Sequence, residues 1–170
     1  MTDRERCLQI YHQAFGVAEE FDKAFFDYYF DNTETLIVDG EIVSMLFKIP
    51  CTIKYPECEQ KAYYIYAVAT DERYRGRGLM SQLINKCCNE KDALYFLKPV
   101  KESLIAFYEK VGFTCVDAVR QGLADAFVET HKNHQKLSAM CEHPKNNYIL
   151  MMRGTPKKEI KKLCFKETLE

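Results

Sequence analysis

No C-x-x-C pair occurs among the eight cysteines of this 170-residue chain (Cys7, Cys51, Cys58, Cys87, Cys88, Cys115, Cys141 and Cys164), and no Cys/His grouping has zinc spacing. A structural metal is therefore not expected, and reduced thiols in a cytoplasmic protein are. An excess of charge of either sign is also missing, since 24 basic residues face 25 acidic ones. With no global field to draw nucleic acid or an anionic membrane, any anion site has to be local. No apolar run approaches the ~18 residues that a membrane span needs, and the opening MTDRERC lacks the apolar core of a signal peptide. Internal repeats and low-complexity linkers are absent as well. Residues 1–170 are thus expected to form a single domain, long enough to bury about two-thirds of the surface its unfolded chain exposes.

What is present centres on residues 62–90. From Ala62 to Thr70 nearly every side chain is apolar, β-branched or aromatic, the pattern of a central strand covered on both faces. After the polar turn DERY come Arg75, Gly76, Arg77 and Gly78, and the period then changes. Leu79, Met80, Leu83, Ile84 and Cys87 share one side of a 3.6-residue helix. A glycine-rich turn between a buried strand and a helix start collects backbone N–H groups pointing the same way, and the helix dipole adds partial positive charge. Such a turn suits a phosphate or pyrophosphate. Gly76 and Gly78 let the backbone approach the anion closely, while Arg75 and Arg77 add charge. The stretch carries neither a Walker loop nor a G-x-G-x-x-G fingerprint.

The stretch does resemble motif A of the GNAT acetyltransferase superfamily, Arg/Gln-x-x-Gly-x-Gly/Ala. Two registers fit. Starting at Arg73 puts Gly76 and Gly78 on the glycine positions; starting at Arg75 puts Gly78 on the first and Met80 on the second. The second register is preferred, because it sets Tyr74 on the usual aromatic and Leu79, Leu83 and Ile84 on the helix core positions. Met80 then departs from the family's small residue. A methionine there resembles acetyltransferases of the enhanced-intracellular-survival type, in whose much longer chains this would correspond to the N-terminal domain. The resemblance implies acetyl-CoA as co-substrate, its pyrophosphate held by Arg75, Gly76, Arg77, Gly78, Leu79 and Met80. It also implies a bulge in the central strand whose free amides, at Val68, Ala69 and Thr70, bind the acetyl carbonyl and pantetheine arm and serve as an oxyanion hole.

The second half adds an independent motif. Residues 93–97 read as a buried strand ended by Pro99, residues 101–110 as a helix ended by Gly112, and residues 113–119 as a further strand. Ala106 to Phe113 resembles the family's motif B ending, A-x-x-Tyr-Glu-Lys-x-Gly-Phe, with the alanine one position late. By that resemblance Tyr108 is the general acid that protonates the departing coenzyme thiolate; as an ordinary packed tyrosine it would only fill space. A base must also drain the attacking amine. Glu57, Glu59, Asp71, His131, His134 and His143 are candidates, and the base stays unassigned.

Around these motifs the pattern predicts helices over 3–15 and 18–30, and a hairpin of 35–38 and 42–49 about Asp39-Gly40. Pro50 and the polar stretch 54–60 would then lead to the central strand. Leu123, Phe127 and Val128 suggest a helix, His143-Pro144 and Asn146-Asn147 a loop, and 148–152 the final strand. The tail from Thr155 reads as a basic amphipathic helix with Ile160, Leu163 and Cys164 as its stripe. The 120–147 insertion would border the acceptor pocket, or act as a lid or homodimer contact.

The expected fold is α/β and GNAT-like: a mixed, mostly antiparallel splayed sheet of six or seven strands with helices on both faces. The expected function is acetyl transfer from acetyl-CoA to a primary amine, small-molecule or peptide, with neither nucleic acid nor membrane as partner. A non-catalytic acyl-CoA-binding sensor or regulatory module is the alternative, and binding of some other phosphate ligand is a third reading.

Overall fold

A computed structural model describes residues 1–119, 123–142 and 148–169. Among the described residues there are five α-helices and eight strands in a mixed, mostly antiparallel α/β arrangement. The chain divides into two compact units, Met1–Ile49 with Ile65–Asn89, and Pro50–Tyr64 with Glu90–Glu170.

In the first unit, helix α1 (Asp3–Phe15) opens with a capping box. Thr2 Oγ1 accepts from the Glu5 N–H at 3.2 Å, and the Glu5 carboxylate accepts from the Thr2 N–H at 2.7 Å. Helix α2 (Glu19–Tyr29) buries Asp22 at its start, where the carboxylate accepts from the Ala18 N–H at 2.8 Å and meets His12 Nε2 at 3.0 Å. The many aromatics of α2 divide between interior and surface: Phe25, Phe26 and Tyr29 are buried and Tyr28 is exposed. Phe25 packs edge-on against Phe47 and Tyr66.

Strands β1 (Thr33–Val38) and β2 (Glu41–Lys54) form the expected antiparallel hairpin. Asp39 and Gly40 both take positive φ, as a tight turn of this kind demands. Strand β3 (Glu59–Thr70) is the expected central strand, and α3 (Leu79–Cys87) packs against β1. Pro50 does not end β2. It lies between Phe47, the last residue paired with β1, and Thr52, where β2 takes up another partner, so the missing N–H interrupts neither ladder.

The second unit contains the rest of β2 and β3 with β4 (Leu94–Leu97), β5 (Thr114–Val119), β6 (Ala126–Glu129), β7 (Tyr148–Arg153) and β8 (Lys162–Cys164). Its strand order is β3-β4-β7-β5-β8-β6, and β6 also pairs with Thr52–Lys54 of β2. Strand β4 runs parallel to β3 over Ala62↔Leu94 to Tyr64↔Phe96 and is buried throughout. Helix α4 (Ile105–Lys110) follows a 3₁₀ turn, Glu102–Leu104, so the single helix predicted over 101–110 is split.

Two expectations fail here. Leu123, Phe127 and Val128 are not a helical face: Ala126–Glu129 is strand β6, Leu123 is exposed, and the helix of this region, α5 (Lys132–Ser138), comes later. The tail is not a helix either. Asp125 accepts from the N–H groups of Lys161 and Lys162 at 2.7 Å each, which commits donors a helix would need, and β8 pairs parallel with β5 and β6. Strand β7 is therefore not the last, and β6 and β8 bring the strands among the described residues to eight. The loop predicted at His143-Pro144 and Asn146-Asn147 lies outside the described residues. Among the described residues no helix is long and apolar enough to cross a membrane.

Candidate functional site

The candidate turn joins β3 to α3 within the first unit. One break in β3 precedes it: Ala67 takes φ +50° in mid-strand. An alanine pays a steric cost in the left-handed region, and a single such residue breaks the extended path of a strand and re-aims the positions beyond it. Those positions are Val68, Ala69 and Thr70, where the hydroxyls of Thr70 and Ser44 lie 2.9 Å apart.

Asp71 then closes the strand. Its N–H donates to the Val43 carbonyl at 2.9 Å, and its side chain caps the 3₁₀ turn Glu72–Tyr74 by accepting from the Arg73 N–H at 2.9 Å. Gly76 has φ +77° and Gly78 φ +73°, and a Cβ built on either meets nothing within 4 Å. Here glycine is selected by backbone conformation and by open space ahead of the turn, not by crowding. Gly78 is the N-cap of α3, and the first helical bond runs from the Gln82 N–H to the Gly78 carbonyl at 3.2 Å. The amides of Leu79, Met80 and Ser81 precede that ladder, at the positive end of the helix.

The arginines of the turn have different tasks. Arg73 is committed to carboxylates: its Nη2 lies 2.6 Å from Glu41 and 3.1 Å from Asp71. Arg75 and Arg77 are exposed; Arg75 Nε donates to the Thr70 carbonyl at 3.0 Å, and Arg77 Nη2 to the Arg73 carbonyl at 3.2 Å. The Arg77 guanidinium also covers the Tyr74 ring at 5.0 Å. Leu79 and Met80 are half-buried in the first turn of α3.

Asp71 is a poor base. It is wholly buried, and the hydrogen bonds from Arg73, then those from Arg6, outweigh burial and hold its carboxyl far below the usual carboxylate range. Glu41 is also lowered, chiefly by Arg73. Neither Arg6 nor Glu41 figures in the sequence reading, because they stand 65 and 30 positions from Asp71 and no local pattern links them.

The other candidates belong to the second unit. Tyr108 on α4 is 7% exposed, its ring edge-on to Phe107 and Phe113 at 5.1 and 6.0 Å, and its carbonyl accepts from the N–H groups of Val111 and Phe113 at 3.1 Å each. His134 is buried on α5 and donates from Nε2 to the Glu167 carbonyl at 2.6 Å, a bond that argues for a structural imidazole. His131 is exposed just before α5, Glu57 is exposed and paired with Lys158 at 2.6 Å, and Glu59 is exposed. His143 lies outside the described residues. Val68 to Met80 thus come together in one unit, and Tyr108 stands in the other. Among the described residues no group of three or more His, Cys, Asp or Glu is placed to hold a metal.

A family model described as an acetyltransferase (GNAT) domain matches residues 1–116. No curated protein matches the sequence. Among solved structures, the ribosomal-protein-S18-alanine N-acetyltransferase of Escherichia coli is similar at 16% identity and a TM-score of 0.55 over 94% of both chains. Naa50 of Arabidopsis thaliana, in complex with the bisubstrate analogue CoA-Ac-MVNAL, is similar at 15% identity and a TM-score of 0.51, over 91% of this chain and 95% of that one. Eis1 of Mycobacterium abscessus shares 12% identity and a TM-score of 0.51 over 69% of this chain. The present chain spans 30% of Eis1 and about a third of three other matched structures. At these identities the likenesses speak for the fold.

Proposed function

The chain belongs to the GNAT acetyltransferase family, and from that premise we propose that it transfers an acetyl group from acetyl-CoA to a primary amine of a small molecule or peptide. The observation that carries the proposal is the turn at 75–80. Two positive-φ glycines open onto empty space ahead of the α3 N-terminus, with the Arg75 and Arg77 side chains exposed beside them. The amides from Gly76 to Met80 would hold the pyrophosphate, and the arginines would add charge. The left-handed Ala67 supports Val68, Ala69 and Thr70 as donors to the acyl carbonyl and the pantetheine arm.

In the reaction the amine nitrogen bonds to the thioester carbon, the carbon–sulfur bond breaks, and the sulfur leaves as thiolate. Tyr108, by the likeness of its segment to the family motif, gives that sulfur a proton, and the amine's proton passes to water or to a base yet to be assigned. Peptide acceptors gain support from Naa50, bound to a peptide-bearing CoA analogue, and from the S18-alanine enzyme. We take residues 1–170 as one acetyltransferase domain, since the family match covers the first unit and part of the second. A cytoplasmic setting is supported by the eight cysteines, which form no disulfide.

The test is titration calorimetry with acetyl-CoA, desulfo-CoA and ATP, on the native chain and on Gly78→Glu. Micromolar binding of both CoA ligands, weak ATP binding and loss in the variant support the reading. A folded protein that binds no CoA ligand overturns it.

A further inference from the structure

We propose that Arg6, on the first helix, is a positioning residue for the coenzyme's pyrophosphate: it anchors the entry of the 75–80 turn through Asp71 and Glu41 and thereby aims the amides that follow. The proposal rests on the coenzyme reading above.

Arg6 is 4% exposed, and each of its guanidinium nitrogens has an acceptor. Nε donates to the Ile42 carbonyl at 3.0 Å, Nη1 to Gln9 Oε1 at 2.7 Å, and Nη2 lies 2.5 Å from Asp71 Oδ2 and 2.9 Å from Glu41 Oε1. Arg73 approaches the same two carboxylates from the turn. Two cations and two anions therefore form a closed, neutral cluster that ties α1, the start of β2 and the turn together. Tyr74 joins it by donating its hydroxyl to Glu41 Oε2 at 3.1 Å.

A second tether lies seven residues along α1, on the same face of the helix. Gln13 Oε1 accepts from the Glu72 N–H at 3.3 Å. The turn is thus fastened at Asp71, Glu72 and Arg73, whereas Arg75 to Gly78 is exposed and passes through two left-handed glycines. The orientation of the amides at 76–80 is inherited from the fastened end.

Replacing Arg6 leaves Asp71 buried with one cationic partner where it had two. A buried carboxylate stripped of a partner is costly, and rotation of the turn to rehydrate it is the available relief. That rotation moves the very amides whose preorganisation an anion needs. Lysine is no replacement, because one ammonium cannot span acceptors that a guanidinium fork reaches together.

The experiment uses CoA as probe and Arg6→Met, Arg6→Lys and the partly exposed Glu41→Gln as variants. CoA affinity comes from calorimetry and folding from circular dichroism, while ³¹P NMR reads the pyrophosphate and 3′-phosphate of bound CoA separately. Expected are folded Arg6 variants that bind CoA roughly ten- to a hundredfold more weakly, with bound pyrophosphate resonances shifted back towards free values. Glu41→Gln should move both readouts the same way, less far, and it carries the test if the Arg6 variants do not fold. CoA binding within about twofold of native in folded variants, or weaker binding with unchanged pyrophosphate resonances, overturns the inference and leaves the coenzyme reading intact. A native protein that binds no CoA overturns both.

Discussion

Arg6 Nη2 and Asp71 Oδ2 lie 2.5 Å apart across 65 positions of sequence, and neither side chain is more than 5% exposed. Arg73 and Arg6 together depress the Asp71 carboxyl, so the folded state holds fewer protons than the unfolded one. The stabilisation is complete above the ordinary aspartate value of about 4. It is lost as pH falls from there towards the lower folded value. Melting temperature followed from pH 7 to pH 2 should decline more steeply below about pH 4 in the native chain than in Asp71→Asn, which should be the less stable at neutral pH. Parallel curves would mean that Asp71 contributes nothing specific.

Tyr108→Phe removes one hydroxyl and keeps a ring already packed against Phe107 and Phe113. As a general acid Tyr108 should be worth about a hundredfold in turnover. Single-turnover rates with an identified acceptor, set beside calorimetric acetyl-CoA affinity, separate chemistry from binding. Turnover down with affinity unchanged is the expected result. Equal turnover would make Tyr108 a packing residue.

Phe165 follows β8 at 1% exposure and packs its ring against Tyr64, Phe96 and His134, with centroids 5.2, 5.2 and 5.8 Å away. Phe165→Ala should cost about 3–5 kcal/mol, the range for emptying a buried aromatic site. Urea denaturation measures it, with the neighbouring exposed Lys166→Ala as control. A loss below about 1 kcal/mol, ordinary for a surface position, would show the tail to be only loosely docked.

Thiol reactivity should divide the cysteines by burial. Burial pushes Cys7 up to about 11, and Cys51 and Cys87 up to about 12, while Cys115 is exposed. Since the thiolate is the nucleophile, Cys115 should react first with a disulfide reagent at pH 8, and those three only on unfolding. Mass mapping after brief exposure reads the order. Early labelling of Cys51 or Cys87 would contradict the burial seen here.

The sequence by itself determined the features that depend on neighbours along the chain. The 3.6-residue period of 3–15 and 79–87, the Asp39-Gly40 turn, the apolar run of β3 and the paired glycines 76 and 78 are legible because helix face, turn φ and strand burial are local demands. The candidate turn was therefore legible too. Tertiary structure alone decided the rest. Ile160, Leu163 and Cys164 satisfy a helical period, yet β5, β6 and the Asp125 carboxylate turn their segment into a strand. Pro50 stays within β2 because β2 changes partners there. The left-handed Ala67 and the four-charge cluster of Arg6, Glu41, Asp71 and Arg73 have no signature in any short window. Alanine does not announce a left-handed position, and charges far apart in sequence become partners only when a helix, a hairpin and a turn bring them together around the buried Arg6 and Asp71.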